Sequence, residues 1–242
     1  MNNEIFSRSE YLIGSSGLEK LSGCTVAVFG LGGVGSYAAE ALARTGVGSL
    51  IIVDYDTVDI TNINRQLHAL SSTVGQPKTD LMASRLREIN PELDVRALQL
   101  KFSPETAPEI FDGNNVDFII DAIDDVENKV ALIKESVNRE LAIVSAMGAG
   151  NKFDPTSFKV SSIWKTSVCP LARVMRKKLR SAGIDIDLPV VYSTECPRPN
   201  PASNTGEKLV PGSISFVPPV AGFILAAYVV DKLLSLDIFS DM

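Results

Sequence analysis

The residues of this chain best suited to chemistry fall in short groups. Gly30, Gly32, Gly33 and Gly35 lie in Gly30-Leu-Gly-Gly-Val-Gly-Ser36. Such a turn lets backbone N–H groups come close to phosphate oxygens, and the positive end of a following helix attracts the same anion. Asp54 comes 19 residues after Gly35, where a carboxylate can accept ribose hydroxyls. A tight helix–strand turn without a ligand is the alternative. In Thr61-Asn-Ile-Asn-Arg-Gln66, Asn62 and Asn64 can hydrogen-bond a sugar or phosphate, and Arg65 offers a planar fork for phosphate oxygens. A surface loop with a structural arginine would read the same. Pro77 suits the first turn of a helix and puts Lys78 near its start, where an ammonium can meet phosphate or simply be solvated. Asp121, Asp124 and Asp125 follow an apolar run. Asp124 is the candidate Mg²⁺ ligand, since Mg²⁺ holding phosphate oxygens takes one or two carboxylates, while Asp125 or Asp121 serves as a helix N-cap.

A second set lies further on. Between Lys165 and Arg180 there are six basic residues and no acidic one. Arg173, Arg176, Lys177 and Arg180 recur at the spacing of one helical face, with Leu171, Val174, Met175 and Leu179 on the other. The chain's net charge is −6 and this run contributes +6, which leaves −12 on the rest. A face of this kind binds a phosphate backbone or is plainly solvated. Cys169 precedes Pro170 and Cys196 lies in a proline-rich stretch. Each reads as a structural thiol or, with a depressed pKa, as a nucleophile or persulfide carrier, and Cys169 is the better placed for that. His68, the only histidine, reads as a packing residue, with a general base as the alternative.

These groups need elements to position them. Thr25 to Phe29 is a β-branched apolar run of the kind buried on both faces. Strands are expected at 25–30, 49–54, 94–100, 116–121 and 141–146, and helices at 33–44, 77–90 and 126–140. A short helix within 4–22 precedes them. The alternation predicts an α/β fold, a Rossmann-like doubly wound, mostly parallel sheet with ligands beyond the carboxyl ends of its strands. Past residue 147, Phe158 to Trp164 alternates like a strand and Leu171 to Arg180 is helical, a C-terminal extension of antiparallel strands and helices. Residues 183–213 read as a loop-rich insertion, mobile or facing substrate, since seven of the 13 prolines lie between 189 and 219. The expected organisation is one domain over 1–242, with a nucleotide-binding core at 25–150 and a substrate-facing part at 151–242.

Composition excludes several classes. With 45% hydrophobic and 21% charged residues the chain is globular, and −6 argues against a wholesale nucleic-acid-binding surface. Three irregularly spaced cysteines make no disulfide framework, no CxxC pair is present, and a single histidine rules out multi-histidine metal sites. The N-terminus has no signal-peptide pattern. Ile214 to Leu236 contains Pro218, Pro219, Asp231 and Lys232 and reads as a buried helix rather than a membrane span. A cytoplasmic protein without a membrane partner is expected.

Taken together, Gly30–Ser36, Asp54-Tyr-Asp56, Thr61–Gln66, Gly75-Gln-Pro-Lys78 and Asp121-Ala-Ile-Asp124 resemble the adenylating enzymes related to ubiquitin activation, over roughly residues 5–150. The resemblance implies ATP and Mg²⁺, with a monovalent cation (Na⁺ or K⁺) as a further cofactor. It implies that Gly33 and Asp54 hold the adenosine part and Asn62, Arg65 and Lys78 the triphosphate, with Gly30, Gly32, Gly35, Asp56 and Gln66 also binding the nucleotide. Asp124 would hold the metal. Arg65, Lys78 and Asp124 then carry catalysis, joined by Arg8 reaching across a homodimer. Asn64–Leu70, Lys165–Lys178 and Tyr192-Ser-Thr-Glu195 are most similar to the branch that dehydrates threonylcarbamoyladenosine in tRNA next to the anticodon. That branch implies tRNA as partner, held by Arg173, Arg176, Lys177 and Arg180, and a cysteine desulfurase or sulfur acceptor as a further partner. The alternatives are an adenylyltransferase for a ubiquitin-like sulfur carrier, with Cys169 passing sulfur, and an NAD-dependent oxidoreductase. Segment 196–206 matches no known role.

Overall fold

The computed structural model describes residues 3–199 and 211–240. Seven strands form one sheet: β1 (Thr25–Phe29), β2 (Ser49–Val53), β3 (Asp94–Leu98), β4 (Phe118–Asp121), β5 (Ala142–Ala146), β6 (Phe158–Ser162) and β7 (Pro189–Ser193), in the order β3-β2-β1-β4-β5-β7-β6. All neighbours are parallel except β6, which runs antiparallel to β7. The strands are fixed by simple packing. Val26 and Val28 of β1, with Leu50 and Ile52 of β2, enter one apolar layer, while Ala27, Phe29, Ile51 and Val53 enter the other. A five-residue strand that feeds two cores must be apolar throughout, and that makes these runs legible.

Helices cover both faces. On the first lie α2 (Gly35–Thr45), α3 (Lys78–Ile89) and α7 (Val217–Leu234), contributing Leu42, Met82 and Leu225. On the second lie α4 (Ala107–Phe111), α5 (Val126–Asn138) and α6 (Pro170–Ser181), contributing Ile110, Leu132 and Met175. The N-terminal α1 (Asn3–Ser22), kinked at Gly14, packs on α7 and α2. By length and composition α7 is apolar enough to cross a membrane. Instead it packs on α2 and the sheet, and Gly222 meets α2 so closely that a Cβ would lie 2.3 Å from the Val34 carbonyl oxygen. It is a core helix, as its sequence predicts.

The expected loop over 183–213 needs correction. Residues 189–193 are β7, between β5 and β6, with Val190 and Val191 fully buried. Proline is tolerated at the first residue of a strand, so Pro189 opens β7 rather than excluding it. Residues 200–210, including Pro201 and the end of segment 196–206, lie outside the described residues.

Candidate active site

The connections of the sheet change direction between β1 and β4, the point where open α/β sheets take ligands. Beyond the strand ends there lies a cavity of about 510 Å³, within the range of small-molecule sites. The glycine turn forms one wall. Gly30 takes φ 86°, and a Cβ there would sit 2.7 Å from the Ala122 carbonyl oxygen, so only glycine fits. Gly32 lines the cavity, and a Cβ there would meet no protein atom within 4 Å. That is a cradle open to a ligand at the head of α2. Gly33 lines it too, while Gly35 begins the helix behind it.

Asp54, at the end of β2, is buried, and its carboxylate accepts the N–H groups of Leu31 at 2.5 Å and Asp56 at 2.8 Å. Burial pushes this carboxyl up from its ordinary pKa, and the Lys78 ammonium and the two N–H groups pull the other way. Asp54 therefore ties the glycine turn to β2. Lys78 is buried rather than solvated. Its Nζ donates to Asp56 Oδ2 at 2.8 Å, and its backbone N–H to the Asp56 carbonyl at 3.1 Å. A bridge between Thr57 and Pro77 holds the two loops together. Asp59 caps the turn at Ile60–Asn62, where the Asn62 side-chain oxygen accepts the Asp59 N–H. Arg65 lines the cavity and steadies its guanidinium on the Thr61 carbonyl (2.9 Å) and Asn64 Oδ1 (2.8 Å), both through Nη1. Gln66 also lines it, buried, with its side-chain oxygen unpartnered among the described residues.

The three acids after β4 separate. Asp125 caps α5 by accepting the Asn128 N–H at 2.9 Å. Asp121 is no cap, because its carboxylate points into the core. It pairs with Lys129 Nζ at 3.0 Å and accepts the Ser145 hydroxyl at 2.6 Å, with both charged side chains fully buried. Burial raises the Asp121 pKa, against the pull of Lys129 and Ser145. Lys129 also donates to the Ile123 carbonyl at 2.9 Å and so fixes the loop that carries Asp124. Asp124 is exposed and lines the cavity without a hydrogen-bond or ion-pair partner among the described residues. Among those residues no group of three or more His, Cys, Asp or Glu could hold a metal. One free carboxylate suits an Mg²⁺ that arrives already holding phosphate oxygens. The far wall is Gly150 with Pro211, Gly212 and Ser213.

Comparison with known proteins places the whole chain. Residues 6–238 match the family described as ThiF. The chain belongs to the ThiF family. It is 50% identical over 240 residues to the tRNA threonylcarbamoyladenosine dehydratase of Bacillus subtilis (strain 168), covering 95% of this chain and 94% of that one. It superposes on solved structures of the Escherichia coli tRNA N6-threonylcarbamoyladenosine dehydratase. The complex with AMP gives a TM-score of 0.88 at 33% identity, covering 96% of this chain and 94% of that one. The complex with ATP gives 0.87 at 33% identity, with coverage of 96% and 94%.

Elsewhere in this ThiF-family chain the candidates divide. Arg8 is exposed on α1 and does not line the cavity. Asn64 points its amide at the Ser213 carbonyl (3.0 Å) rather than into the cavity. On α6, Arg173, Lys177 and Arg180 are exposed, and Arg180 lies 5.0 Å over the Trp164 ring. Arg176 corrects the expected basic face: it is half-buried, and Nη1 donates to the Thr166 hydroxyl and carbonyl and the Ile163 carbonyl. Val174 is exposed, and Ala172 takes its place beside Met175 and Leu179 in the buried stripe. Cys169 is buried near Gly148, whereas Cys196 is exposed. His68 is buried with neither ring nitrogen partnered among the described residues, and burial, helped by Lys78, lowers its pKa to about 4. The sequence reading missed Lys101, Tyr55 and Asn128, which line the cavity, and Lys129 beneath it. Lys101 and Tyr55 follow the ends of β3 and β2, so the strand-end rule could have found them. Nothing local marks Lys129.

Proposed function

We propose that this chain dehydrates threonylcarbamoyladenosine in tRNA by first joining AMP from ATP to the threonyl carboxylate. A carboxylate is a poor electrophile, and adenylation supplies it with a leaving group. The carboxylate oxygen bonds to the α-phosphorus and pyrophosphate departs. The substrate's own ureido group then attacks the acyl carbon, a ring closes and AMP leaves. Proximity within one substrate replaces a protein nucleophile. One observation carries this reading: Arg65, Lys78 and Asp124 meet around a single cavity beside the open backbone at Gly32. Lys78 and Arg65 would stabilise charge as pyrophosphate leaves, from positions already fixed by Asp56 and by Thr61 and Asn64. Asp124 would hold Mg²⁺, which supplies further charge neutralisation. Gly30, Gly33, Gly35 and Asp54 would shape the adenosine side, with Asn62 and Gln66 toward the phosphates.

Several finer points belong to the same proposal. Residues 25–150 bind the nucleotide and 151–242 face the tRNA, within one domain located in the cytoplasm. A homodimer brings Arg8 to its partner's cavity, supported by the exposed Tyr11 and Leu12 on the same helix; Leu12→Glu should yield monomers by light scattering. A monovalent cation is retained, and equal rates in K⁺, Na⁺ and choline salts would remove it. A sulfur-acceptor partner would find its thiol at Cys196, since Cys169 is buried. The direct test is purified protein with ATP, Mg²⁺ and modified tRNA. AMP, pyrophosphate and cyclised nucleoside should form in equal amounts, and ATP turnover indifferent to tRNA contradicts the reading.

A further inference from the structure

At the outer edge of the far wall lies a cluster that the nucleotide chemistry does not use. Phe153 is 50% exposed and Phe216 is 46% exposed, unusual for large apolar rings placed together. Their ring centroids lie 6.3 Å apart at 72°. The Arg198 guanidinium sits 4.8 Å over the Phe153 ring. Each phenylalanine lies three residues from a cavity-lining residue, Gly150 in one case and Ser213 in the other. The cluster is therefore carried by the same two loops that form the far wall of the site.

Its backing is fixed. The Glu195 carboxylate accepts the Phe153 and Asp154 N–H groups at 2.9 and 2.8 Å and stands 3.7 Å from Arg198. The buried Lys152 ammonium donates to the Glu195 carbonyl. Asn151 exchanges two hydrogen bonds of 2.7 Å with Gly212, and its carbonyl accepts the Arg198 N–H at 2.7 Å. Two exposed rings with a guanidinium on a braced loop have the chemistry that holds an unstacked base: π-faces for the ring and positive charge for the adjoining phosphate. An acidic peptide would satisfy the arginine and leave the rings wet.

We propose that Phe153, Phe216 and Arg198 form a stacking platform for a base of the tRNA anticodon loop, next to the nucleotide being modified. This rests on the tRNA reading above, whose substrate lies in a single-stranded loop. The platform would give α6 a division of labour: α6 meets the backbone, and the aromatic pair positions the loop beside the far wall.

The test uses the full chain and a synthetic anticodon stem-loop carrying 2-aminopurine beside the target adenosine. Binding should quench the fluorophore. Phe153→Ala and Phe216→Ala should each weaken binding roughly tenfold or more and abolish the quench, with ATP affinity and melting temperature unchanged. Phe153→Trp should restore both signals, which a merely structural role would not require. Unchanged affinity and quench in both alanine variants overturn the platform while leaving the tRNA reading intact. Variants that change only the oligomeric state overturn it in favour of self-association. Wild-type protein that binds ATP but neither hairpin nor intact tRNA defeats the reading beneath it.

Discussion

Beside the ends of β1, β2 and β4, Asp54, Lys78, Asp121 and Lys129 are buried and tethered, whereas Arg173 and Lys177 on α6 and Arg198 beside Phe153 stand in solvent. Asp54, Lys78, Asp121 and Lys129 each have at least one partner of fixed geometry. Arg173, Lys177 and Arg198 remain exposed. The contrast matches two physical tasks. Stabilising charge that shifts by an ångström calls for dipoles held still before the reaction, in a setting where solvent does not screen them. Docking a large polyanion calls for charge that can reach and release counterions. The sharpest way to break the contrast is Lys129→Met. It leaves Asp121 buried and uncompensated, and should cost about 3–5 kcal/mol in urea melts. Adding Asp121→Leu should recover most of that loss, since apolar replacement of a whole buried pair is often neutral. A single variant as stable as wild type would mean the pair braces nothing.

Next in size is Lys78→Met. Losing an aligned cation should lower the rate of AMP formation by about 10²–10³, with tRNA affinity retained. An equal loss of tRNA binding would blur the two regions into one. His68 gives a third handle, through pH. Its folded pKa of about 4 lies below the ordinary 6.5, so the unfolded chain takes up the proton first. The stability it contributes is complete above pH 6.5 and is lost as pH falls through that window toward 4, by up to about 3 kcal/mol. His68→Leu should flatten that part of the stability profile relative to wild type, and parallel profiles would refute the burial argument.

The same contrast explains what could be read from sequence. Strands that feed two cores need continuous apolar runs, so β1, β2, β4 and β5 declared themselves, and with them the glycine turn and Asp54 at their ends. β4 was expected from 116 and begins at Phe118. The burial of Lys78 was not legible, because a lysine at a helix start looks the same whether it meets water or Asp56. Lys129 was invisible for a different reason: its partner Asp121 lies across a loop, and the pairing exists only once β4 and α5 are packed. On the C-terminal side the proline count hid β7. A five-residue interior strand is announced by little more than Val190 and Val191, and its neighbours β5 and β6 come from distant sequence. The amphipathic reading of α6 was sound in outline but rotated at its edge, since Arg176 lies where the helix meets the Ile163–Thr166 turn.

That rotation yields the smallest and most discriminating expectation. Helical spacing alone puts Arg173, Arg176, Lys177 and Arg180 on equal terms, but the three carbonyl and hydroxyl acceptors around Arg176 remove it from the face. Reversing Arg173 and Lys177 to Glu should weaken tRNA binding at low salt. The slope of log affinity against log salt should fall by about 1 for every phosphate that the helix ceases to neutralise. Melting temperature should not move. Arg176→Ala should do the opposite: it frees the 163–166 turn and lowers stability by about 1 kcal/mol, while the salt slope stays where it was. Should Arg176→Ala flatten the slope as much as Arg173→Glu, the guanidinium must leave its acceptors to meet RNA, and the division between tethered and solvated charge would fail on the helix where it is easiest to measure.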